Sequence, residues 1–105
     1  MASIFTKIIA REIPADIVYE QDNIIVIRDI NPQAKTHLLI IPKKEIPTLN
    51  DISDDDNALM SDMFSVAKKV ANDLEIDEWY SLRLNVGEKG WQEVFHIHMH
   101  LLSDI

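Results

Sequence analysis

Phe95-His96-Ile97-His98-Met99-His100-Leu101-Leu102 alternates apolar and imidazole side chains with a period of two. That period is the signature of a half-buried β-strand. It predicts that His96, His98 and His100 share one face, while Phe95, Ile97, Met99 and Leu101 turn toward a core. Same-face residues on a strand lie roughly 7 Å apart, which puts the outer two imidazoles about 13 Å apart. The fourth histidine, His37, opens a second apolar stretch, Thr36-His37-Leu38-Leu39-Ile40-Ile41, which Pro42 stops. A nearly unbroken apolar run of this length predicts a central strand covered on both faces.

Working outward, residues 17–19 and 24–28 read as two β-branched strands. The polar turn Glu20-Gln21-Asp22-Asn23 joins them into a hairpin. Asn31-Pro32-Gln33 is a further turn. Residues 79–86 read as a strand paired with the histidine strand through Gly87-Glu88-Lys89-Gly90-Trp91, which holds both glycines of the chain. Glycine permits positive φ and close approach of the backbone to a ligand, and a tight hairpin explains the pair equally well. Ser3 is placed to cap a short helix with Ile4, Phe5, Ile8 and Ile9 on one stripe. Ser53 and Asp54-Asp55-Asp56 read as the start of a long helix, with carboxylates where the helix dipole favours them. Its apolar stripe is Leu59, Met60, Met63, Phe64, Ala67, Val70, Ala71 and Leu74. The fold class is α+β: a mainly antiparallel sheet with one long and one short helix.

The chain has 105 residues, 47% of them hydrophobic and 27% charged, which fits one globular domain spanning residues 1–105. It contains no cysteine, so thiolate chemistry and disulfides are excluded. No apolar run approaches the roughly 18 residues that a membrane span needs, and no signal-peptide pattern opens the chain. A cytoplasmic location is expected, with no membrane partner. The net charge of −8 repels polyanions, so a nucleic-acid polymer is not an expected partner. A small phosphorylated ligand is compatible with it, since one site needs only a few local donors.

Three readings of the histidine row compete. On a solvated edge face, lysine, glutamate or threonine would be the ordinary choice. Two histidines at i and i+2 can share a metal ion at about 2.0–2.1 Å, but three along straight strand reach one ion poorly. No cysteine completes such a site. The third reading is nucleophilic catalysis. A neutral imidazole is a competent nucleophile near pH 7, and attack on phosphorus splits one displacement into two. His98, at the centre, would be flanked by two imidazoles that fix its tautomer and donate to phosphoryl oxygens.

The sequence His96-Ile97-His98-Met99-His100-Leu101-Leu102 matches the His-φ-His-φ-His-φ-φ pattern of the histidine-triad (HIT) superfamily, where φ is apolar. The segments Ser3-Ile4-Phe5-Thr6-Lys7-Ile8-Ile9, Ile13-Pro14, Arg28-Asp29-Ile30-Asn31-Pro32-Gln33-Ala34, Thr36-His37 and Ile41-Pro42-Lys43-Lys44 resemble its Hint branch. So do Asn85 and Gln92-Glu93-Val94. The likeness spans nearly the whole chain in order and is nearest the bacterial HinT-like proteins. It implies a five-stranded antiparallel sheet extended across a homodimer. It also implies a hydrolase of purine nucleoside phosphoramidates and aminoacyl-adenylate-like compounds, acting without a metal or other cofactor.

Carried over by residue, the resemblance makes His98 the nucleophile. His100 and His37 contact the phosphate and leaving group, and His96 supports the row. Asn85 and the backbone amides of Gln92, Glu93 and Val94 approach the nucleotide phosphate and ribose. Asp29 takes the ribose hydroxyls, which suits an acceptor-only group. Phe5, Ile8, Ile27 and Ile30 form the purine pocket walls. Two departures bear on leaving-group selectivity. Trp91 stands where the family usually has a glycine, and the sequence ends at Ile105 where many relatives continue with a glycine-containing tail. A nucleotide-binding protein with negligible turnover is the rival reading from another class. A dinucleoside polyphosphate hydrolase is the rival within the superfamily.

Overall fold

The computed structural model describes residues 2–105. Its centre is the apolar run at His37. Strand β3 spans Thr36–Pro42, and every residue after Thr36 is buried. It lies in the middle of a five-stranded antiparallel sheet formed with β1 (Ile17–Glu20), β2 (Ile24–Arg28), β4 (Ser81–Arg83) and β5 (Met99–Ser103). The order across the sheet is β1-β2-β3-β5-β4.

Alternation divides β2 and β3 between two cores, because successive side chains point to opposite faces. Ile24, Val26, Leu38 and Ile40, together with Met99 and Leu101, meet the long helix α2 (Asn57–Asp73). Ile25, Ile27, Leu39 and Ile41 meet Phe5 and Ile8 of the short helix α1 (Ile4–Ile9). The two-faced burial of β3 follows. Truncating Ile40, which is fully buried, is expected to cost about 2–5 kcal/mol. His100 opposes Leu39 in register, so its side chain lies on the α1 face. That face carries the candidate site.

Both helices form where the sequence places them. Ser3 caps α1, with its Oγ accepting from Thr6 N at 3.1 Å. The three aspartates form a 3-10 turn, Asp54–Asp56, ahead of α2 rather than its first α-helical turn, and Asp56 closes it by accepting from Ser53 N. Within α2, Met63, Val66, Ala67, Val70 and Ala71 are buried. Phe64 is not in the core; it is 56% exposed. At 3.6 residues per turn it sits about 100° round from Met63, at the edge of the stripe.

Two strand expectations require correction. The strand expected at residues 79–86 is only Ser81–Arg83. Trp79 N donates to Ile76 O, which keeps that segment in the turn leaving α2. Beyond Arg83 the chain leaves the sheet in a long excursion and returns at Met99, so β4 and β5 pair antiparallel without a tight hairpin. The histidine strand likewise starts at Met99, not at Phe95. Phe95 is 48% exposed instead of facing a core, whereas Ile97 is buried against the α2 side.

Candidate active site

The imidazoles converge although only His37 and His100 lie within regular strands, in β3 and β5, and His96 and His98 precede β5. His98 and His100 ring centroids are 5.0 Å apart, as are those of Phe5 and His98, and Phe5 meets His96 at 5.7 Å. The site is therefore built between the end of the excursion, α1 and the start of β5.

Hydrogen-bond partners that can act in only one direction decide the tautomers. His98 Nδ1 lies 2.8 Å from the carbonyl oxygen of His96. The carbonyl only accepts, so Nδ1 carries the hydrogen and Nε2 keeps its lone pair. His96 Nε2 lies 2.7 Å from the Pro42 carbonyl and therefore donates, leaving Nδ1 to accept from Ser3 Oγ at 2.6 Å. Gln33 N donates to His37 Nδ1 at 3.1 Å, so the hydrogen of neutral His37 is on Nε2. His37 Nε2 then donates to His100 Nδ1 at 2.9 Å, which puts the His100 hydrogen on its own Nε2. The outcome is a lone pair on His98 and an N–H donor on His100, side by side.

Burial holds all four imidazoles neutral at pH 7. His37, His96 and His98 are each 7% exposed or less. Desolvation lowers the pKa of each, the carbonyls and nearby carboxylates opposing it only in part. His100 is pushed down to about 4, first by desolvation and then by its histidine neighbours and Arg83. An unprotonated His98 is what nucleophilic attack requires.

A cleft of about 350 Å³ opens over this pair. His98, His100 and Glu93 line it, with Asp29, Asn31 and Gln33 on the β2 side and Arg83, Asn85 and Trp91 on the β4 side. Asp29 Oδ1 accepts from Asn31 N at 2.8 Å, and its Oδ2 is 3.4 Å from His37 Nε2. Asn85 Nδ2 donates to Gly90 O at 2.9 Å and so holds the glycine loop.

The Gln92 side chain is buried inside that loop. It accepts from Gly87 N and donates to Pro47 O and Val94 O, while its backbone N donates to Gly87 O. Among the described residues the amides of Glu93 and Val94 have no protein acceptor, so those two remain available to a ligand. Phe5, Ile8 and Ile27 are buried together, while Ile30 is 89% exposed beside Asp29.

Asp29, His37 and His100 also bring one donor atom each within 4.8 Å of the others, a spacing that suits a divalent cation. His37 Nε2 and His100 Nδ1 already bond to each other through the His37 hydrogen. A cation would have to displace it.

Several of these features escaped the sequence reading. Gln33 locks His37 through its backbone, and Arg83 enters the cleft by strand register; neither leaves a periodic signal. Ser3 was legible as a cap but not as the partner of His96. Trp91 adopts a left-handed backbone, φ 67° and ψ 28°, in the position for which glycine is the ordinary residue.

A family model described as HIT domain matches residues 10–104. The chain belongs to the HIT domain family. This HIT-domain protein is 52% identical over 102 residues to the purine nucleoside phosphoramidase of Escherichia coli K12, covering 96% of this chain and 86% of that protein. A HIT family hydrolase from Legionella pneumophila has a similar structure, with a TM-score of 0.96 at 50% identity over 99% of this chain and 94% of that one. The histidine triad nucleotide-binding protein of Candida albicans gives a TM-score of 0.86 at 37% identity, over 95% and 73% of the two chains. The five-stranded antiparallel sheet and the family expected from the histidine row are thus both established.

Proposed function

We propose that this HIT-domain protein is a purine nucleoside phosphoramidase that works through a nucleotidyl-His98 intermediate. The observation that carries the reading is the unprotonated Nε2 of His98. It is fixed by the bond from Nδ1 to the His96 carbonyl and lies beside the Nε2–H of His100. The name and 52% identity of the E. coli relative support the same chemistry.

In the first step the His98 Nε2 lone pair forms a bond to the α-phosphorus as the P–N bond breaks. The amine departs with a proton drawn from solvent. His100 Nε2–H and the Glu93 and Val94 amides donate to the phosphoryl group, whose charge grows as it transfers. In the second step water attacks phosphorus, the P–Nε2 bond breaks, and the nucleoside monophosphate leaves with His98 neutral again. One water is consumed overall. Asp29 holds the ribose hydroxyls, and Phe5, Ile8, Ile27 and Ile30 form the wall for the purine. Asn85 and Gln92 act by holding the loop that presents those amides.

The working assembly in this reading is a homodimer. β4 is an edge strand, and beside it runs an apolar groove that includes Met60, Leu82, Leu84 and the exposed Phe64. An unpaired edge next to exposed apolar surface suits a second copy continuing the sheet. Sedimentation of the wild type and of Phe64→Glu tests it; a monomeric wild type removes the dimer. No helix among the described residues is long and apolar enough to cross a membrane.

The deciding experiment measures AMP release from adenosine 5′-phosphoramidate, with and without chelator, by wild type and His98→Ala. Chelator-resistant release that disappears in the variant is expected, with AMP affinity kept within about tenfold. Retained turnover in His98→Ala removes it as the nucleophile.

A further inference from the structure

Arg83 ends β4 and lies directly opposite His100 in β5. Opposed residues on paired strands project from one face, with Cβ atoms about 4.5–5.5 Å apart. Arg83 therefore rises beside His100 on the histidine face, and both line the cleft with His98. Its guanidinium reaches toward the turn before β3, where Nη2 donates to Gln33 Oε1 at 3.4 Å. That bond is long, and a guanidinium has five N–H donors, so most of them face solvent or a ligand. Arg83 takes part in none of the ion pairs among the described residues.

The charges around the cleft make this position matter. Asp29 and Glu93 are the acidic residues that line it, and Arg83 is the fixed cation that does. Asp29 is engaged with Asn31 N and lies close to His37. A nucleotide brings an anionic phosphoryl group to His98. Neutral imidazoles and amides give it dipoles but no full charge.

We propose that Arg83 contacts the phosphoryl oxygens of the bound nucleotide and supplies the full positive charge of the site. The proposal rests on the part of the functional reading that makes the cleft a nucleotide site. A planar guanidinium presents paired donors that match two phosphoryl oxygens. Because Arg83 is exposed, solvent and salt screen the contact, and its effect is moderate.

Titration calorimetry of wild type, Arg83→Met and Arg83→Lys with AMP and with adenosine tests this. The pair of ligands differs only in the phosphate, and adenosine affinity reports that the pocket is intact. Arg83→Met is expected to weaken AMP about five- to twenty-fold and adenosine less than twofold. The salt dependence of AMP binding should fall, and Arg83→Lys should recover part of the lost discrimination. Unchanged AMP affinity, equal loss for both ligands, or no recovery with lysine overturns the proposal. Wild type that binds AMP but releases none from adenosine 5′-phosphoramidate sinks the phosphoramidase reading alone. Wild type that does not bind AMP overturns both.

Discussion

His37 Nε2 donates to His100 Nδ1 across 2.9 Å, and that single bond fixes on which nitrogen His100 carries its hydrogen. The bond works only because Gln33 N already occupies His37 Nδ1. The backbone of the β2–β3 turn thus sets the tautomer of a residue on β5. Removing the middle member frees both tautomers of His100. His37→Ala is expected to lower kcat about ten- to a hundred-fold, the worth of one hydrogen bond to a charged group. Nitrogen NMR of His100 checks the cause: one Nε2–H tautomer in wild type and a mixture in the variant. A single unchanged tautomer in the variant removes this explanation.

Acidification should destabilise the fold in a predictable window. The imidazoles titrate near 6.5 when unperturbed, and the fold lowers all four, His100 to about 4. Between those values the unfolded chain binds more protons than the folded one, so stability rises with pH there. Their contribution is complete above about pH 6.5 and declines as pH falls below it, that of His100 levelling off below about 4. Glu20, Glu45 and Asp56 also have lowered pKa values, chiefly from hydrogen bonds with Lys43, Ser3 and Lys44 respectively. Their contribution is present above the ordinary carboxylate range and is lost below it. Thermal midpoints from pH 8 to 3 should hold steady, fall from about 6.5, and continue to fall below 4.5. Because His98 stays neutral below its usual pKa, kcat/KM should remain level to below pH 6.5. A midpoint that rises on acidification from pH 7 to 5 contradicts the assignment.

Ser3 joins the N-terminal helix to the histidine row. Its hydroxyl donates to His96 Nδ1, accepts from Thr6 N, and its backbone N donates to Glu45. Ser3→Ala leaves a fully buried imidazole nitrogen without its donor and removes a helix cap. The two effects together are expected to cost about 1.5–3 kcal/mol. Because α1 carries Phe5 against His98, AMP affinity should fall along with the melting temperature. A loss of less than about 0.5 kcal/mol means that water replaces the hydroxyl at His96.

The parts of the fold that were legible in the sequence are those where burial imposes a period. β2 and β3 are bounded where Asn23 and Pro42 suggest, since their apolar runs are continuous and their ends polar or proline-blocked. The three histidines were legible as a group, although His96 and His98 precede the strand, because the α1 face still collects them. What escaped is held by single non-periodic bonds. Trp79 to Val86 contains the right residues for a long strand, yet Asn85 turns inward to Gly90 and ends the pairing. Arg83 reads as a solvated strand residue until its register opposite His100 is known. The family resemblance named Asp29 and Asn85; periodicity alone does not distinguish either from an ordinary loop polar residue.

Asp29 offers its carboxylate to Asn31 N and approaches His37 Nε2, and a carboxylate has further lone-pair sites for a diol. Asp29→Ala disturbs His37 as well as any ribose contact, so a fall in activity alone is uninformative. Comparing AMP with 2′-deoxy-AMP cancels the shared effect. The variant should lose at least about tenfold more affinity for the ribonucleotide, equivalent to one hydrogen bond to a charged group. Equal losses for both ligands would place Asp29 in support of His37 and not on the ribose.

Trp91 holds φ at 67° while its side chain is 82% exposed. The backbone is fixed there from both sides: Trp91 N donates to Glu88 O, and Gln92 N to Gly87 O. A left-handed conformation costs a non-glycine residue about 1–2 kcal/mol. Glycine would remove that strain but raise the entropy of the unfolded chain by about 0.5–1 kcal/mol. Little burial is lost, because the indole is mostly in solvent. Trp91→Gly is therefore expected to stabilise the protein by about 0.5–1 kcal/mol, a rise of roughly 2–8 °C in Tm for a domain of this size. The side chain lines the cleft, where it is expected to meet the group that leaves phosphorus. Turnover of phosphoramidates with benzylamine and with cyclohexylmethylamine reads that contact. The aromatic over aliphatic preference should shrink by about two- to tenfold in Trp91→Gly, the usual worth of an aromatic pair. A variant that is more stable but keeps the same preference would make Trp91 a strained bystander.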